Sequence, residues 1–324
     1  MKLPSKFLVQ FGLAMSGAMS LAAVYAQTYP AKPIRFVVPY APGGNTDVLA
    51  RLIGQRLADT FPHPVIVDNR PGIDGVVGIN VVARSAADGY TILMVSSSHA
   101  INTAMGMKLP YDPLKDLVPV TQTASQQILL VVHPNVPAKS VREFVAYAKS
   151  KVAGLNYGSS SSATQLATEL FNALAGIKMV HIPYKGAAPM MNDLLGGQIE
   201  LSFSPSVISL PHVKSGRIRA LALGDSKRSV FMPDLPTVAE SGVAGYQASI
   251  WTGMLVPAGT SRAIIDRLNR EVVRIVKSPD LTARLVQLGS DTVGSTPEQF
   301  DKFVREEIVK WEAIAKKVGI WGKS

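Results

Sequence analysis

The stretch PYAPGGNTDVLAR, residues 39–51, joins an apolar run to a helical pattern and decides the fold class. The run at 34–38 before it is almost entirely apolar, which is typical of a strand covered on both faces. Gly43 and Gly44 then break the run, and apolar side chains recur at helical spacing from Val48 onward. N–H groups in the first turn of a helix have no partner within the helix and can bind an anion. The turn is therefore either a plain connection or one wall of a site for a small anion.

The same two patterns alternate along the chain. Short apolar runs predict strands at residues 34–40, 65–67, 91–95, 128–132, 180–182, 199–203 and 218–223, and helical patterns separate most of them. This alternation predicts an α/β fold with mainly parallel sheets flanked by helices. A polar segment at 121–127 separates two extended runs, and the pattern restarts after it. We therefore predict two lobes joined by hinge strands, with residues 27–126 and 227–324 in lobe 1 and residues 127–226 in lobe 2.

The composition narrows the function classes. The chain has 324 residues, of which 47% are hydrophobic, so it can bury a large core. It has no cysteine, which excludes disulfides, thiolate catalysis and cysteine zinc sites. The net charge of +10 is scattered, and Asp266 and Glu271 interrupt the most basic predicted helix. A nucleic-acid partner is therefore not expected.

The N-terminus has the pattern of a secretory signal peptide. Lys2 and Lys6 precede an apolar run at 7–24, and Val24-Tyr25-Ala26 places small residues where a signal peptidase cleaves. We predict a signal peptide at 1–26 and a soluble periplasmic protein after its removal; an uncleaved anchor is the alternative. A lipid anchor is excluded because it requires a cysteine.

Polar loops follow several of the predicted strands. They are the turn at 42–47, the loop at 96–99, the serine-rich loop at 158–164 and the tripeptide at 184–186. Open α/β sheets bind ligands at the carboxyl ends of their strands. Hydroxyl and backbone N–H donors spread over two lobes suit a small carboxylate, whereas each loop alone is equally consistent with ordinary helix capping.

Signatures of enzymes are mostly absent. The chain has no Gly-x-Ser-x-Gly, Ser-x-x-Lys or His-Glu-x-x-His motif. Its five histidines lack the spacing of metal ligands. His99, beside three serines, is the only candidate for a catalytic base, and His181 is expected to pack in the core. We therefore predict no catalytic residue, no metal and no cofactor.

Several motifs, taken together, resemble those of one protein family. They are YPAKPIR (29–35), VPYAPGG (38–44) with Asp47 and Ala50-Arg51, DNRPG (68–72), DGYT (88–91), HIPYKG (181–186) and LPTVAESG (235–242). In this order they resemble the Bug family, the extracytoplasmic solute receptors of tripartite tricarboxylate transporters. The resemblance implies a two-lobed periplasmic binding protein fold of type II that closes on its ligand, with a membrane permease as partner. We also expect a monomer.

The resemblance also implies a ligand carboxylate held in the cleft by main-chain groups, hydroxyls and ordered waters. The ligand-binding residues that it indicates are Tyr40, Gly43, Gly44, Asn45, Thr46, Asp47, Ser96, Ser97, Ser98, His99, Ser159, Ser160, Ser161, Thr164, Tyr184, Lys185 and Ser204. Many members have aspartate where this chain has Ser204, so an amino-acid ligand is not favoured. Aliphatic di- or tricarboxylates and aromatic carboxylates both remain open, as do an enzyme on the same fold and a receptor for signalling.

Overall fold

The computed structural model of the chain describes residues 29–152, 154–229, 232–287 and 289–322. The predicted signal peptide and its cleavage site lie outside these residues and stay predictions. Among the described helices, none is both long enough and apolar enough to cross a membrane.

The described residues form two β-sheets flanked by helices. The strands are β1 (Ile34–Val38), β2 (Val65–Asn69), β3 (Thr91–Ser96), β4 (Leu117–Gln126), β5 (Ile128–Val132), β6 (Asn156–Ser159), β7 (Val180–Pro183), β8 (Leu201–Pro205), β9 (Arg219–Leu223), β10 (Ile250–Pro257) and β11 (Ser290–Thr292). The α-helices are α1 (Asn45–Thr60), α2 (Val76–Ala83), α3 (Ser98–Ala104), α4 (Val141–Ser150), α5 (Ser162–Ala175), α6 (Ala187–Leu195), α7 (Ser206–Lys214), α8 (Arg262–Val276), α9 (Pro279–Gln287) and α10 (Pro297–Lys317).

The strand orders are β11-β4-β10-β3-β1-β2 in the first sheet and β7-β6-β8-β5-β9 in the second. In the first sheet β1 is parallel to β2 and β3, whereas β10 is antiparallel to β3 and β4. In the second sheet β6 is parallel to β7 and β8, whereas β5 is antiparallel to β8 and β9. The predicted α/β class is therefore confirmed, but both sheets are mixed rather than mainly parallel. Most strands of each sheet share one direction, whereas β10 and β11 run against it in the first sheet and β5 in the second.

Two of the reversed strands, β5 and β10, each follow a crossing between the sheets. The first crossing is short, because β5 begins directly after Gln127. The Gln127 N–H donates to the Gly289 carbonyl (3.2 Å), and its carbonyl accepts from the Ser206 N–H (3.0 Å). The second crossing runs from the end of β9 to the start of β10. Two crossings are what a hinge requires, and the lobe boundaries given above stay a prediction.

Helix α10 packs against both sheets. Phe300, near its start, belongs to the buried cluster of the first sheet, and Trp311 belongs to the cluster around the second. Between them, the Glu307 carboxylate accepts hydrogen bonds from the indole N–H groups of Trp251 (3.2 Å) and Trp311 (2.9 Å). The helix therefore links the two halves of the molecule through apolar packing and a buried polar contact.

The predicted polar break at 121–127 is wrong, since β4 continues through most of it. The strand lies between β10 and β11, and its buried hydroxyls have partners there. Thr121 Oγ1 donates to the Ser295 carbonyl (2.8 Å), and the Thr123 and Thr252 hydroxyls are 2.9 Å apart. Internal hydrogen bonds let polar residues occupy a central strand. Helices α3 and α7 are also absent from the sequence-based expectations.

Candidate functional site

The turn between β1 and α1 has one left-handed glycine. Gly43 has φ +80°, whereas Gly44 has φ −71° and ψ 164°, an extended conformation open to any residue. The Gly43 N–H donates to Asp47 Oδ2 (2.9 Å), and the same carboxylate accepts from Arg51 Nε (3.0 Å) and Asn69 Nδ2 (2.8 Å). The buried Asp47 therefore stabilises the turn. Both of its carboxylate oxygens already accept hydrogen bonds from protein groups.

These contacts set the charge state of Asp47. Burial alone would raise the pKa of its carboxyl, but the hydrogen bonds from Arg51, Gly43 and Asn69, with the charge of Arg51, lower it overall. Asp47 is therefore ionised at neutral pH.

Tyr40 ties this turn to the end of the neighbouring strand β3. Its hydroxyl accepts from the Ser96 N–H (3.2 Å) and from Ser96 Oγ (2.8 Å). Because β1 and β3 are parallel neighbours, the segments that follow them emerge at the same edge of the first sheet. Asn45 and Thr46 begin α1 at this edge. The predicted residues of lobe 1 are thus brought together.

The loop after β3 is almost entirely buried. The Ser97 N–H donates to the Trp251 carbonyl (2.9 Å), and its hydroxyl has no hydrogen-bond partner among the described residues. Ser98 Oγ donates to Asp74 Oδ1 (3.1 Å). His99 is fully buried, and neither ring nitrogen has a hydrogen-bond partner in the described part of the chain. Burial lowers the pKa of His99 to about 4, an effect that the nearby Pro113 carbonyl opposes.

The serine loop after β6 caps helix α5. Ser161 Oγ accepts from the Thr164 N–H (3.3 Å), and Thr164 Oγ1 accepts from the N–H groups of Ser160 (3.0 Å) and Ser161 (3.1 Å). Ser159 Oγ is 2.7 Å from His181 Nε2. These donors, predicted for a ligand, are engaged within the protein in this conformation, and His181 is half-buried rather than in the core.

The remaining predicted residues lie around the same end of the second sheet. The Tyr184 hydroxyl donates to Asp193 Oδ2 (2.7 Å), and burial together with this contact raises the pKa of Tyr184 to about 12. Lys185 is exposed. Ser204, at the end of β8, is fully buried, and its hydroxyl has no hydrogen-bond partner among the described residues. Among the described residues, none of these three side chains forms a hydrogen bond or ion pair with a predicted residue of lobe 1.

Asp74, which the sequence did not suggest, joins the two groups of loops. Its Oδ1 accepts from Ser98 Oγ, and its Oδ2 accepts from the Ser162 N–H (2.8 Å) in the first turn of α5. The backbone there is left-handed at two successive residues that are not glycine, Ile73 (φ 45°) and Asp74 (φ 48°). Asn102 Nδ2 donates to the Asp74 carbonyl (3.1 Å). The strand-end edges of the two sheets therefore face each other across this carboxylate.

The half-buried Tyr40 and the buried Tyr111 both lie within the electrostatic reach of Asp74. Burial raises the pKa of both Tyr40 and Tyr111, and the charge of Asp74 raises each further. The Tyr111 hydroxyl is buried without a hydrogen-bond partner among the described residues, as is Asn102 Oδ1. Some of the buried polar groups around Asp74 are therefore not hydrogen-bonded to it or to any other described residue.

The described residues offer no better candidate for a ligand or metal site than the region around Asp74. No group of three or more His, Asp or Glu side chains among the described residues is arranged to hold a metal ion. A depression of about 400 Å³ beside Lys149, Lys151 and Lys178 contains none of the predicted residues. A smaller one of about 260 Å³, between Arg56 and Arg274, contains none either.

Comparison with known proteins identifies relatives along nearly the whole chain. The family model "Tripartite tricarboxylate transporter family receptor" matches residues 49–320. "Protein BugT" of Bordetella pertussis is 37% identical over 319 residues, which cover 97% of this chain and 98% of that protein.

Two solved structures share the fold. "R. palustris Rpa4515 with adipate" superposes with a TM-score of 0.86 at 36% identity, covering 90% of this chain and 98% of the other. "MatC (Rpa3494) from Rhodopseudomonas palustris with bound malate" superposes with a TM-score of 0.82 at 31% identity, covering 88% and 99%. The architecture is thus the two-lobed fold of periplasmic solute-binding proteins.

Proposed function

Because the chain belongs to the tripartite tricarboxylate transporter receptor family, we propose that it captures a small organic carboxylate between its two sheets and delivers it to a membrane permease. The observation that carries this proposal is the Asp74 contact, since a carboxylate lies between the facing edges with a helix N–H at one end and a hydroxyl at the other. Both are groups that bind carboxylates well.

The relatives support this class of ligand. The two matched structures hold adipate and malate, both small aliphatic dicarboxylates. The loops that face the cleft in this chain offer hydroxyls and the N-termini of α1 and α5. Donors of this kind fix the orientation of an acid without requiring a paired cation.

An enzyme on the same fold is the rival class, with His99 as its base. The family and the matched proteins are receptors, which favours binding. The burial of His99 also argues against the rival, because its ring reaches neither solvent nor a carboxylate partner among the described residues. A general base must lie within hydrogen-bond reach of the proton that it removes.

The proposed site of action is the periplasm, after removal of residues 1–26. Mass spectrometry of the exported protein should find Gln27 at its N-terminus. A mature pool that still begins at Met1 contradicts cleavage after Ala26.

The function is tested by a thermal-shift screen of the mature chain against organic acids, followed by calorimetric titration of the hits. An acid at 100 times its dissociation constant stabilises the protein by about 2.7 kcal/mol. The bound acid is then recovered and examined by NMR. We expect one-to-one reversible binding and an unchanged acid; conversion of the acid supports the enzyme, and the absence of any hit contradicts the proposal.

A further inference from the structure

The Asp74 carboxylate lies between the two sheets, where the proposed function places the carboxylate of a ligand. Its Oδ2 accepts from the first N–H of helix α5, at Ser162 (2.8 Å), and its Oδ1 accepts from the buried Ser98 hydroxyl (3.1 Å). The turn that carries Asp74 follows the first sheet's β2, whereas α5 follows β6 in the second sheet. A side chain from one half of the molecule therefore takes up a binding position on the other half.

The backbone around Asp74 is held in an unfavourable conformation to achieve this. Ile73 and Asp74 have φ values of 45° and 48°, between Gly72 (φ 149°) and Gly75 (φ 96°). A left-handed conformation is rare for a β-branched residue such as Ile73, and it persists only where the surroundings enforce it. Ile73 is 67% exposed, so apolar burial does not explain the turn. The Asp74 contacts do.

Two buried polar atoms near Asp74 have no hydrogen-bond partner among the described residues. Asn102 is fully buried, and while its Nδ2 holds the Asp74 carbonyl, its Oδ1 has no hydrogen-bond partner among the described residues. Tyr111 is 5% exposed, with its hydroxyl equally without a partner in the described chain. Buried polar atoms of this kind normally have a partner, so their concentration here points to a ligand or to bound water beside Asp74.

We propose that Asp74 occupies the position that one carboxylate of a dicarboxylate ligand would take in the cleft, so that the receptor prefers an acid with a single carboxylate to the matching dicarboxylate. This inference rests on the proposed function. A second carboxylate on the ligand has to displace Asp74 from Ser162 or lie beside it, and two like charges a few ångströms apart disfavour each other strongly outside bulk water. A neutral end of the ligand meets no such charge.

The test is calorimetric titration at pH 7.5 with three pairs of acids that differ by one carboxylate: butanoate and succinate, hexanoate and adipate, benzoate and terephthalate. We expect the parent protein to bind the monocarboxylate of its best pair at least tenfold more tightly than the dicarboxylate. Asp74→Asn keeps the size of the side chain and tolerates a left-handed backbone, but it removes the charge. We expect it to shift the ratio at least tenfold toward the dicarboxylate.

Asp74→Gly provides a second variant that relaxes the turn, and Asp59→Asn removes the same charge from an exposed position on α1 as a control. A parent that binds the dicarboxylate more tightly overturns the inference alone, even if both variants fail to fold. A ratio that changes less than tenfold in both folded variants, or equally in Asp59→Asn, also overturns it. A parent that binds none of the six acids also overturns the inference, whereas the proposed function is overturned only if the wider screen of organic acids gives no hit.

Discussion

The Asp74 carboxylate and the Ser162 N–H, 88 residues apart in sequence, are joined by a 2.8 Å hydrogen bond that spans the two halves of the molecule. The bond brings the loop after β2 against the first turn of α5. It defines which edges of the two sheets face each other, and it gives the cleft between them a negative charge of its own.

Asp47→Asn should destabilise the fold. The side chain is 3% exposed and accepts from Gly43, Arg51 and Asn69, and an asparagine can retain only part of these contacts. We expect the free energy of unfolding at pH 7, measured with urea, to fall by about 1–3 kcal/mol.

The pH dependence provides the check on this assignment. Because the pKa of Asp47 is lower in the folded state, its contribution is complete above the unfolded pKa of about 4 and is lost as the pH falls through the lower, folded value. The difference between the parent and Asp47→Asn should therefore be constant from pH 5 to 8 and shrink below about pH 4. A difference that persists in acid contradicts the charge-based account.

His99 should weaken the fold at mildly acidic pH. Its pKa is about 4 in the folded protein and about 6.5 when unfolded. Folding keeps the His99 imidazole neutral, so its contribution to the free energy of unfolding is complete above pH 6.5. This contribution is lost progressively as the pH falls toward 4. Between pH 7 and pH 4 this amounts to about 3 kcal/mol.

Urea unfolding of the parent and of His99→Gln over this range measures the effect. The free energy of unfolding of His99→Gln should fall less between pH 7 and pH 4 than that of the parent. His212→Gln, at a half-buried position on α7, should show the same fall as the parent. Parallel curves for the parent and His99→Gln would show that His99 is not buried in its neutral form.

Gly43 and Gly44 should respond oppositely to substitution. Gly43→Ala places a side chain on a left-handed backbone in open space, so it should cost about 1 kcal/mol of stability. A Cβ added at Gly44 would meet only the Ala41 carbonyl, at 3.5 Å, and the backbone there is extended, so Gly44→Val should fold normally. If the turn lines the site, Gly44→Val should weaken acid binding at least tenfold in calorimetry. Equal affinity for Gly44→Val and the parent would make the turn a plain connection.

Small-angle scattering should detect the role of Asp74 in holding the halves together. Without ligand, Asp74→Gly loses the contact with Ser162 and should have a larger radius of gyration than the parent. Adding the tightest-binding acid from the screen should bring the variant close to the parent value. Identical profiles for the parent and the variant, with and without the acid, argue against opening at the hinge.

The sequence predicts the α/β class because each strand pattern is local, from the run at β1 to the capping box at Thr296. It also locates the loops after β1, β3 and β6, since parallel strands place their carboxyl ends at one edge. Asp74 escapes prediction because its role depends on a left-handed Ile73-Asp74 turn, which composition does not indicate, and on a partner in the other sheet. The polar residues of β4 are predicted as a break in the strand for the same reason, because the partners that satisfy their hydroxyls are distant in sequence.

The most direct measurement is a crystal structure of the mature protein with the tightest-binding acid from the screen. The account predicts density for the acid between the two sheets, in contact with the β1–α1 turn, with the loop after β3 and with the first turn of α5. Density confined to the depression beside Lys149 and Lys178, or to any other surface away from these three segments, would contradict it.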